Sequence, residues 1–544
     1  MIAVDQLGYF PKGFKFAIAT SESKFSVIDT KTQKSVFEGT SSFAHKDSAS
    51  GDEACLLDFT ALESEGEYFI LAGNGQRSSA FRIGNDIYKH LQYDVTRCLY
   101  YQRCGMPLEE KHAGIFARPV CHTKNAILYS DYAKKTADPQ KFDMSGGWHD
   151  AGDYGRYTSA GAVAVGHLLY AFELFPESFN GSLNIPESGN GIPDVLNECY
   201  YELKWLLKMQ SPNGGVYHKL TSFRHAEFIM PEEDDSQFLI FPVSSIATAD
   251  FTAVMALAAR VYKPFMPEFA DEALEAASKS AHWLRENQYI GFTNPDGCDT
   301  GEYGDDSDLD ERLWAVAEMY RTDIAHRDLH LDYLTAACQE YHTHTDFGWE
   351  DVSGFASLAL LTDPKHPAGL LESNLKNKVL LEASRVANLL KTSGYLVGME
   401  NKDFVWGSNM VVLNRAILFV LASRLTEGSQ SDRYKACAIE HIHYIMGRNP
   451  MDISYVTGFG EKAYMHPHHR VTEKDNIKEP MPGWVSGGPF RFFCDAAAEA
   501  VIPKGTPPMK CYLDDVGSYS TNEVTIYWNS PLVFVLAFLN SLYA

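Results

Sequence analysis

The chain has 544 residues, long enough for several domains or for one large barrel with an accessory module, and able to bury a substantial core. Apolar residues make up 45% and charged residues 22%, which is globular rather than disordered or fibrous composition, and no apolar run reaches the length of a membrane span. The formal net charge of -24 repels nucleic acid, so neither nucleic acid nor membrane is an expected partner, and the field suits a neutral or cationic ligand.

The opening residues, MIAVDQLGYFPKGFKFAIAT, carry no basic n-region, long apolar h-region or small-residue cleavage site; this reads as a cytoplasmic protein, with secretion open if a leader precedes this start. Ten cysteines at irregular spacing are too sparse for a disulfide scaffold and read as reduced thiols. Residues 1–85 hold short β-type runs broken by turn residues, at Phe16 to Ala19, Phe25 to Ile28, Tyr68 to Leu71 and Ser79 to Ile83, and are expected to form a small β-sandwich. From about Tyr88 the pattern turns helical and stays so nearly to the end. Val195, Leu196, Cys199, Leu203, Leu206 and Leu207 share one helical face, as do Phe251, Val254, Met255, Ala258 and Val261. Long Gly-, Asp- and aromatic-rich loops are expected at Met144 to Tyr157, Asn294 to Asp310, Tyr455 to Gly488 and Leu513 to Asn529, and loops of that length in a compact domain are usually functional.

The first of these loops, SGGWHDAGDYGRY, sets Asp150 and Asp153 three residues apart among Gly146, Gly147, Gly152 and Gly155. The glycines permit tight turns and close ligand approach, and neighbouring carboxylates shift one another's proton affinity, as acid and base catalysis requires. On spacing alone a solvated loop or a helix cap is the favoured reading of such a pair.

The surrounding residues resemble glycoside hydrolase family 9, the cellulase family. SGGWHDAGDYGRY is similar to its catalytic-base motif. Further matches follow in family order, among them VDQLGYFPKGFK at Val4 to Lys15, PESGNGIPDVLNE at Pro186 to Glu198 and LLKMQSPNGGVYHKLTS at Leu206 to Ser222. TGEYGDDSDLDERLWAVAEMY at Thr300 to Tyr320, VWGSNM at Val405 to Met410, HPHHR at His466 to Arg470 and YLDDVGSYSTNEVTIYWN at Tyr512 to Asn529 extend the likeness over essentially the whole chain. The resemblance implies a mainly α fold: an immunoglobulin-like β-sandwich over residues 1–85, expected to act as a structural brace, and an (α/α)6-barrel catalytic domain over 86–544.

The same resemblance implies Asp153 as general base, Asp150 as its partner in holding the water, and Glu523 as general acid. Family members invert the anomeric centre, which needs the two working carboxyl groups roughly 6.5 to 9.5 Å apart with room for water. His468, Arg470 and Tyr519 match substrate contacts. Trp406, with Trp148, Trp484 and Trp528, could offer a sugar-stacking face, although tryptophans near helices are more often core. His466 and His469 are expected to structure their loop. In the subgroup with the N-terminal module, positions like Cys104, Cys121, His122 and His149 bind zinc, and two thiolates with two imidazoles satisfy its tetrahedral preference. Asp305 and Asp308 resemble one calcium site, and Glu187, Asn190 and Asp194 another, where gathered oxygens suit a hard cation. No organic cofactor is implied.

The expected activity is inverting hydrolysis of β-1,4-linked glucose-type oligosaccharides, exo-acting on soluble oligomers. An exo-β-D-glucosaminidase acting on chitosan oligosaccharides is an alternative that the acidic balance favours. A noncatalytic carbohydrate-binding protein on the same scaffold is a second alternative, which the presence of Asp150, Asp153 and Glu523 opposes.

Overall fold

The structure is a computed structural model that describes residues 1–341, 345–363 and 369–542. Two sheets form the N-terminal sandwich. One has the strand order β1 (Ile2–Ala3), β3 (Phe16–Ala19), β7 (Glu53–Asp58), β6 (His45–Lys46). The other runs β2 (Gly8–Tyr9), β9 (Phe81–Ile83), β8 (Gly66–Ala72), β4 (Lys24–Asp29), β5 (Ser35–Thr40). Strand β4 shows why the layers close: Phe25 and Val27 point inward to join Leu57, Phe59, Ile70 and Phe81, while Lys24 faces solvent. The four β runs read from the sequence all contain strands, the last only over Phe81–Ile83 rather than from Ser79. The edge strand β5 was not among them, because its side chains are mostly exposed and lack a buried alternate face.

The chain folds into two compact units. The first comprises Met1–Cys98, Leu381–Glu473 and the residues from Ile477 onward; the second comprises Leu99–Leu380 and Lys474–Asn476. In the first, the sandwich is joined to helical chain by a buried polar knot. Asp5 accepts from the backbone of Leu7 and Gly8 at 2.8 and 2.9 Å, from Tyr88 Oη at 2.7 Å, and pairs with His443 Nδ1 at 2.8 Å. His443 lies on the helix Gly428–Ile445, and the Tyr9 ring packs on its imidazole at 4.8 Å. A buried carboxylate is tolerated only when its oxygens are satisfied in this way.

In the second unit the helix Asp194–Met209 buries Val195, Leu196, Cys199, Leu203 and Leu206 as its apolar stripe predicts. The helix Ser245–Tyr262 departs from expectation. It is buried on every side except at Arg260, so the apolar face read from the sequence is only part of its contact surface. Two small sheets frame the site of interest. One is ordered β10 (Ile127–Leu128), β14 (Leu239–Ile240), β13 (Lys219–Thr221), β11 (Arg156–Tyr157), and the other pairs β12 (Val216–Tyr217) with β15 (Val243–Ser244). The antiparallel register Arg156↔Leu220 and Tyr157↔Lys219 sets the end of the 144–155 loop beside the start of the 222–236 segment. Of the expected loops, Leu513 to Asn529 and Asn294 to Asp310 end earlier than anticipated, at helices beginning at Ile526 and Leu309. The ten cysteines are free thiols, and no described helix is long and apolar enough to cross a membrane.

Candidate active site

The Asp150–Asp153 loop is pressed onto the helix Asp194–Met209. Gly146 and Gly147 have φ of 106° and 73°, and a Cβ on Gly147 would stand 2.7 Å from Trp205 Cγ and 2.9 Å from Glu202 Oε2. Only glycine takes this turn at this distance. Trp148 then donates its backbone N–H to Glu202 at 2.6 Å and its indole N–H to Glu198 at 2.8 Å, two carboxylates one helical turn apart. Glu198 is neutralised by Arg103, which is fully buried and also forks onto Glu187 at 2.9 and 3.0 Å. Burial pushes Glu202 up to about 8, against the backbone N–H of Trp148 and the charge of Arg156, which act to lower it. Trp148 is therefore a core anchor. Arg156 closes the loop by donating to the carbonyls of Met144 and Gly146 at 2.7 and 2.6 Å.

Asp150 and Asp153 are both buried yet differently held. Tyr303 Oη donates to Asp150 at 2.6 Å, while the other Asp150 oxygen has no hydrogen-bond partner among the described residues. Burial holds the Asp150 carboxyl well above the usual carboxylate range, the Tyr303 hydroxyl opposes this, and the charge of Asp153 adds to it. Asp153 faces His225 Nδ1 at 3.0 Å. The Tyr303 backbone has φ of 50°, a strained conformation for an aromatic residue, and its ring lies against Trp349 and Tyr157 at 4.9 and 4.6 Å. Neither Tyr303 nor His225 was singled out from the sequence: Tyr303 lies within the Thr300 to Tyr320 segment, where nothing local marks it as a partner of Asp150, and His225 comes from a separate loop without a motif of its own.

The residue before Asp150 belongs to a second constellation. Cys104, Cys121, His122 and His149 offer ligand atoms that all lie within 4.8 Å of one another, the one such group of His, Cys, Asp and Glu found among the described residues. His122 Nδ1 and His149 Nε2 are 3.2 Å apart, Cys104 Sγ is 3.8 Å from His122 Nδ1, and Cys121 Sγ is 4.0 Å from His149 Nε2. Tetrahedral zinc with ordinary bond lengths would put N–N edges at about 3.4 Å and S–N edges at about 3.6 Å. The four residues fit that ion. Asp234 sits 3.2 Å from His122 Nε2, where it orients the ring. In the two calcium sets the side chains are engaged by protein groups. Glu187 is engaged by Arg103, Asn190 by Asn197, and Asp194 by Ser188, Ser182 and the backbone N–H of Leu183. Asp308 pairs with Arg312 at 2.9 Å, and Asp305 accepts from Ser307 N.

The remaining candidates lie in the first unit. Glu523 follows the short helix Tyr519–Asn522, and its strand-like backbone bridges to His468. Asp495 braces that helix, accepting from Ser518 Oγ and the Ser520 N–H at 3.1 Å each and from Ser520 Oγ. His468 Nδ1 hydrogen-bonds the carbonyl of Val516 at 2.6 Å, so this nitrogen carries the proton and Nε2 is left as the other polar edge. Its ring meets Tyr519 edge-on at 5.8 Å, and Trp406 lies 5.6 Å beyond Tyr519. Trp406 is 43% exposed, whereas Trp148, Trp484 and Trp528 are buried. Arg470 is buried at the start of the helix Arg470–Lys474. His469 is buried and bonds Thr472 at 2.8 Å, and the backbone of His466 donates to Asp514 at 2.8 Å, both in keeping with loop-structuring residues.

Comparison with known proteins gives concordant results. The model described as "Glycosyl hydrolase family 9" matches residues 88–536, and that of the "Cellulase N-terminal ig-like domain" matches residues 1–77. A cellodextrinase of Butyrivibrio fibrisolvens is 41% identical, over 98% of this chain and 99% of its own length. The structure of AaCel9A in complex with cellobiose-like isofagomine superposes with a TM-score of 0.91 at 34% identity, covering 99% of each chain. That of a Zn-binding triple mutant of the family 9 endoglucanase J30 superposes with a TM-score of 0.90 at 31% identity, covering 97% of this chain and 99% of that one. The fold class read from the sequence holds: mainly α, with an immunoglobulin-like domain ahead of an (α/α)6 barrel.

Proposed function

Because the chain belongs to glycosyl hydrolase family 9, we propose that Asp153 and Glu523 are its working base and acid in single-step, inverting cleavage of β-1,4-linked glucose oligosaccharides. The protein is a glycosyl hydrolase. The observation that carries the assignment is the unequal environment of two adjoining buried carboxylates: Asp150 is pushed up by burial and by its neighbour's charge, while Asp153 is set against an imidazole. Unequal environments divide the labour of such a pair.

In this reading Asp153 takes a proton from water as the water oxygen bonds to the anomeric carbon, and Asp150 holds that water. Glu523 gives its proton to the departing glycosidic oxygen as the carbon–oxygen bond breaks, so a β-linkage yields an α-product. His468, Arg470 and Tyr519 hold sugar hydroxyls, and the exposed indole of Trp406 offers a stacking face. Cys104, Cys121, His122 and His149 would hold zinc, which when bound supplies a rigid tie between the chain around Cys104, the 121–122 segment and the Asp150 loop, and no proton transfer. We place the domain boundary at residues 85 and 86, between β9 and the helix Lys89–Tyr101.

The preferred substrates are soluble cello-oligosaccharides, cleaved from one end, a reading supported by the likeness to a cellodextrinase over nearly the whole of both chains. The test is a time-resolved product profile on defined glucose and glucosamine oligomers. One small product accumulating from glucose oligomers from the earliest times is expected. A random ladder would overturn exo action, and turnover of glucosamine oligomers alone would overturn the sugar.

A further inference from the structure

We propose that His225 is a positioning residue for the base, delivered by a strap formed by residues 222–236; the proposal rests on the reading of Asp153 as that base. His225 Nδ1 stands 3.0 Å from Asp153 Oδ2, with the imidazole 36% exposed and the carboxylate 7% exposed. A carboxylate that must accept a proton from one defined water works only if it is ionised and cannot rotate. An N–H donor on one of its oxygens serves both needs, and a bond to a charged acceptor is about twice as strong as a neutral one.

The segment that carries His225 is fastened at intervals to the chain it crosses. At its start, Lys219 on β13 donates to Asn294 Oδ1 and to the carbonyl of Gly301, each at 2.7 Å, fixing the 294–301 loop. From that loop Asp299 accepts the backbone N–H of His225 at 2.7 Å. Midway, Tyr154, the residue after Asp153, donates its hydroxyl to the carbonyl of Ile229 at 2.5 Å. At the far end Asp234 meets His122 Nε2 at 3.2 Å, so the strap ends on one of the four residues of the zinc-fitting cluster. A segment held at three points beside the loop it serves can place one side chain within a few tenths of an ångström. Such placement matters because a misplacement of about 1 Å in a reacting group costs on the order of 100-fold in rate.

The experiment compares His225→Ala, His225→Asn and His225→Gln with the parent enzyme on a cello-oligosaccharide of fixed length, alongside Asp153→Asn. Asparagine can present an N–H from the same branch point as Nδ1, whereas glutamine presents it one bond further out. The expected result is a fall of about 10- to 100-fold in kcat for His225→Ala with KM changed by less than about threefold, recovery of most of kcat in His225→Asn, and none in His225→Gln. Parent-level kcat in His225→Ala, a change confined to KM, or equal loss in all three variants would overturn the positioning role. If Asp153→Asn keeps parent activity, the base assignment itself fails, whatever the His225 variants do. If Asp153→Asn is inactive while His225→Ala is unimpaired, only the role of His225 falls.

Discussion

Replacing Arg103 by Met tests whether the Asp150 loop rests on a buried ion-pair network. Arg103 and Glu198 are both fully buried, with the guanidinium 2.9 to 3.2 Å from the two carboxylate oxygens. Arg103→Met leaves the Glu198 charge in the interior with the Trp148 indole still donating to it, and breaking one side of such a pair costs about 3–5 kcal/mol. The second arm, to Glu187, is 35% exposed on the acidic side and adds no more than about 1 kcal/mol. The double variant Arg103→Met/Glu198→Gln removes the stranded charge, so it should be less destabilised than the sum of the single variants by about 1–3 kcal/mol. Urea unfolding followed by tryptophan fluorescence measures these differences, and kcat should fall in parallel because Trp148 directly precedes His149 and Asp150. If Arg103→Met unfolds within about 1 kcal/mol of the parent, or if the single costs simply add, the network is not what supports the loop.

Glu202, pushed up to about 8 by burial, binds a proton in the folded state that the unfolded chain releases near its ordinary value of 4.5. Its contribution to stability is therefore full below about pH 4.5, declines as the pH rises and levels off above about 8; Glu202→Gln, which keeps an acceptor for the Trp148 N–H, should flatten the pH dependence of the unfolding midpoint across that window. An unchanged slope would mean that Glu202 is ionised in the folded protein. Glu523→Gln should lower kcat by about 100- to 10,000-fold on cello-oligosaccharides yet spare most of the rate on an aryl glycoside whose leaving group needs no proton; equal losses on both substrates would argue against an acid role. Purified protein should contain zinc near one ion per chain by elemental analysis, and Cys121→Ser should lose it together with a lowered melting temperature. A metal-free parent that melts like the variant would dismiss the site.

Much of the fold is legible in the sequence because it is written locally. The alternation of Phe25 and Val27 marks β4, and the apolar stripe from Val195 to Leu206 marks its helix. The glycines around Asp150 likewise announce a loop that other side chains could not form, and Gly147 shows why, lying against Trp205 and Glu202. What escaped was carried by long-range contacts. Tyr303 reaches Asp150 across 153 residues, and Asp234 reaches His122 across 112. His225 likewise approaches Asp153 from a segment with no motif of its own. The four-residue Cys and His cluster illustrates the intermediate case: the spacing of Cys104 and Cys121 is uninformative, and only folding brings their sulfurs to the two imidazoles. The tryptophans were separated by burial alone, which left Trp406 as the exposed member of the four.

The central claim is a single displacement in which water, activated by Asp153, attacks as Glu523 protonates the leaving oxygen. Proton NMR of the reducing-end anomer released in the first minutes of cello-oligosaccharide hydrolysis tests it most directly. The account predicts that the α-anomer appears first and the β-anomer grows in only by mutarotation. Initial release of the β-anomer would contradict it, since that outcome requires two displacements and a covalent intermediate.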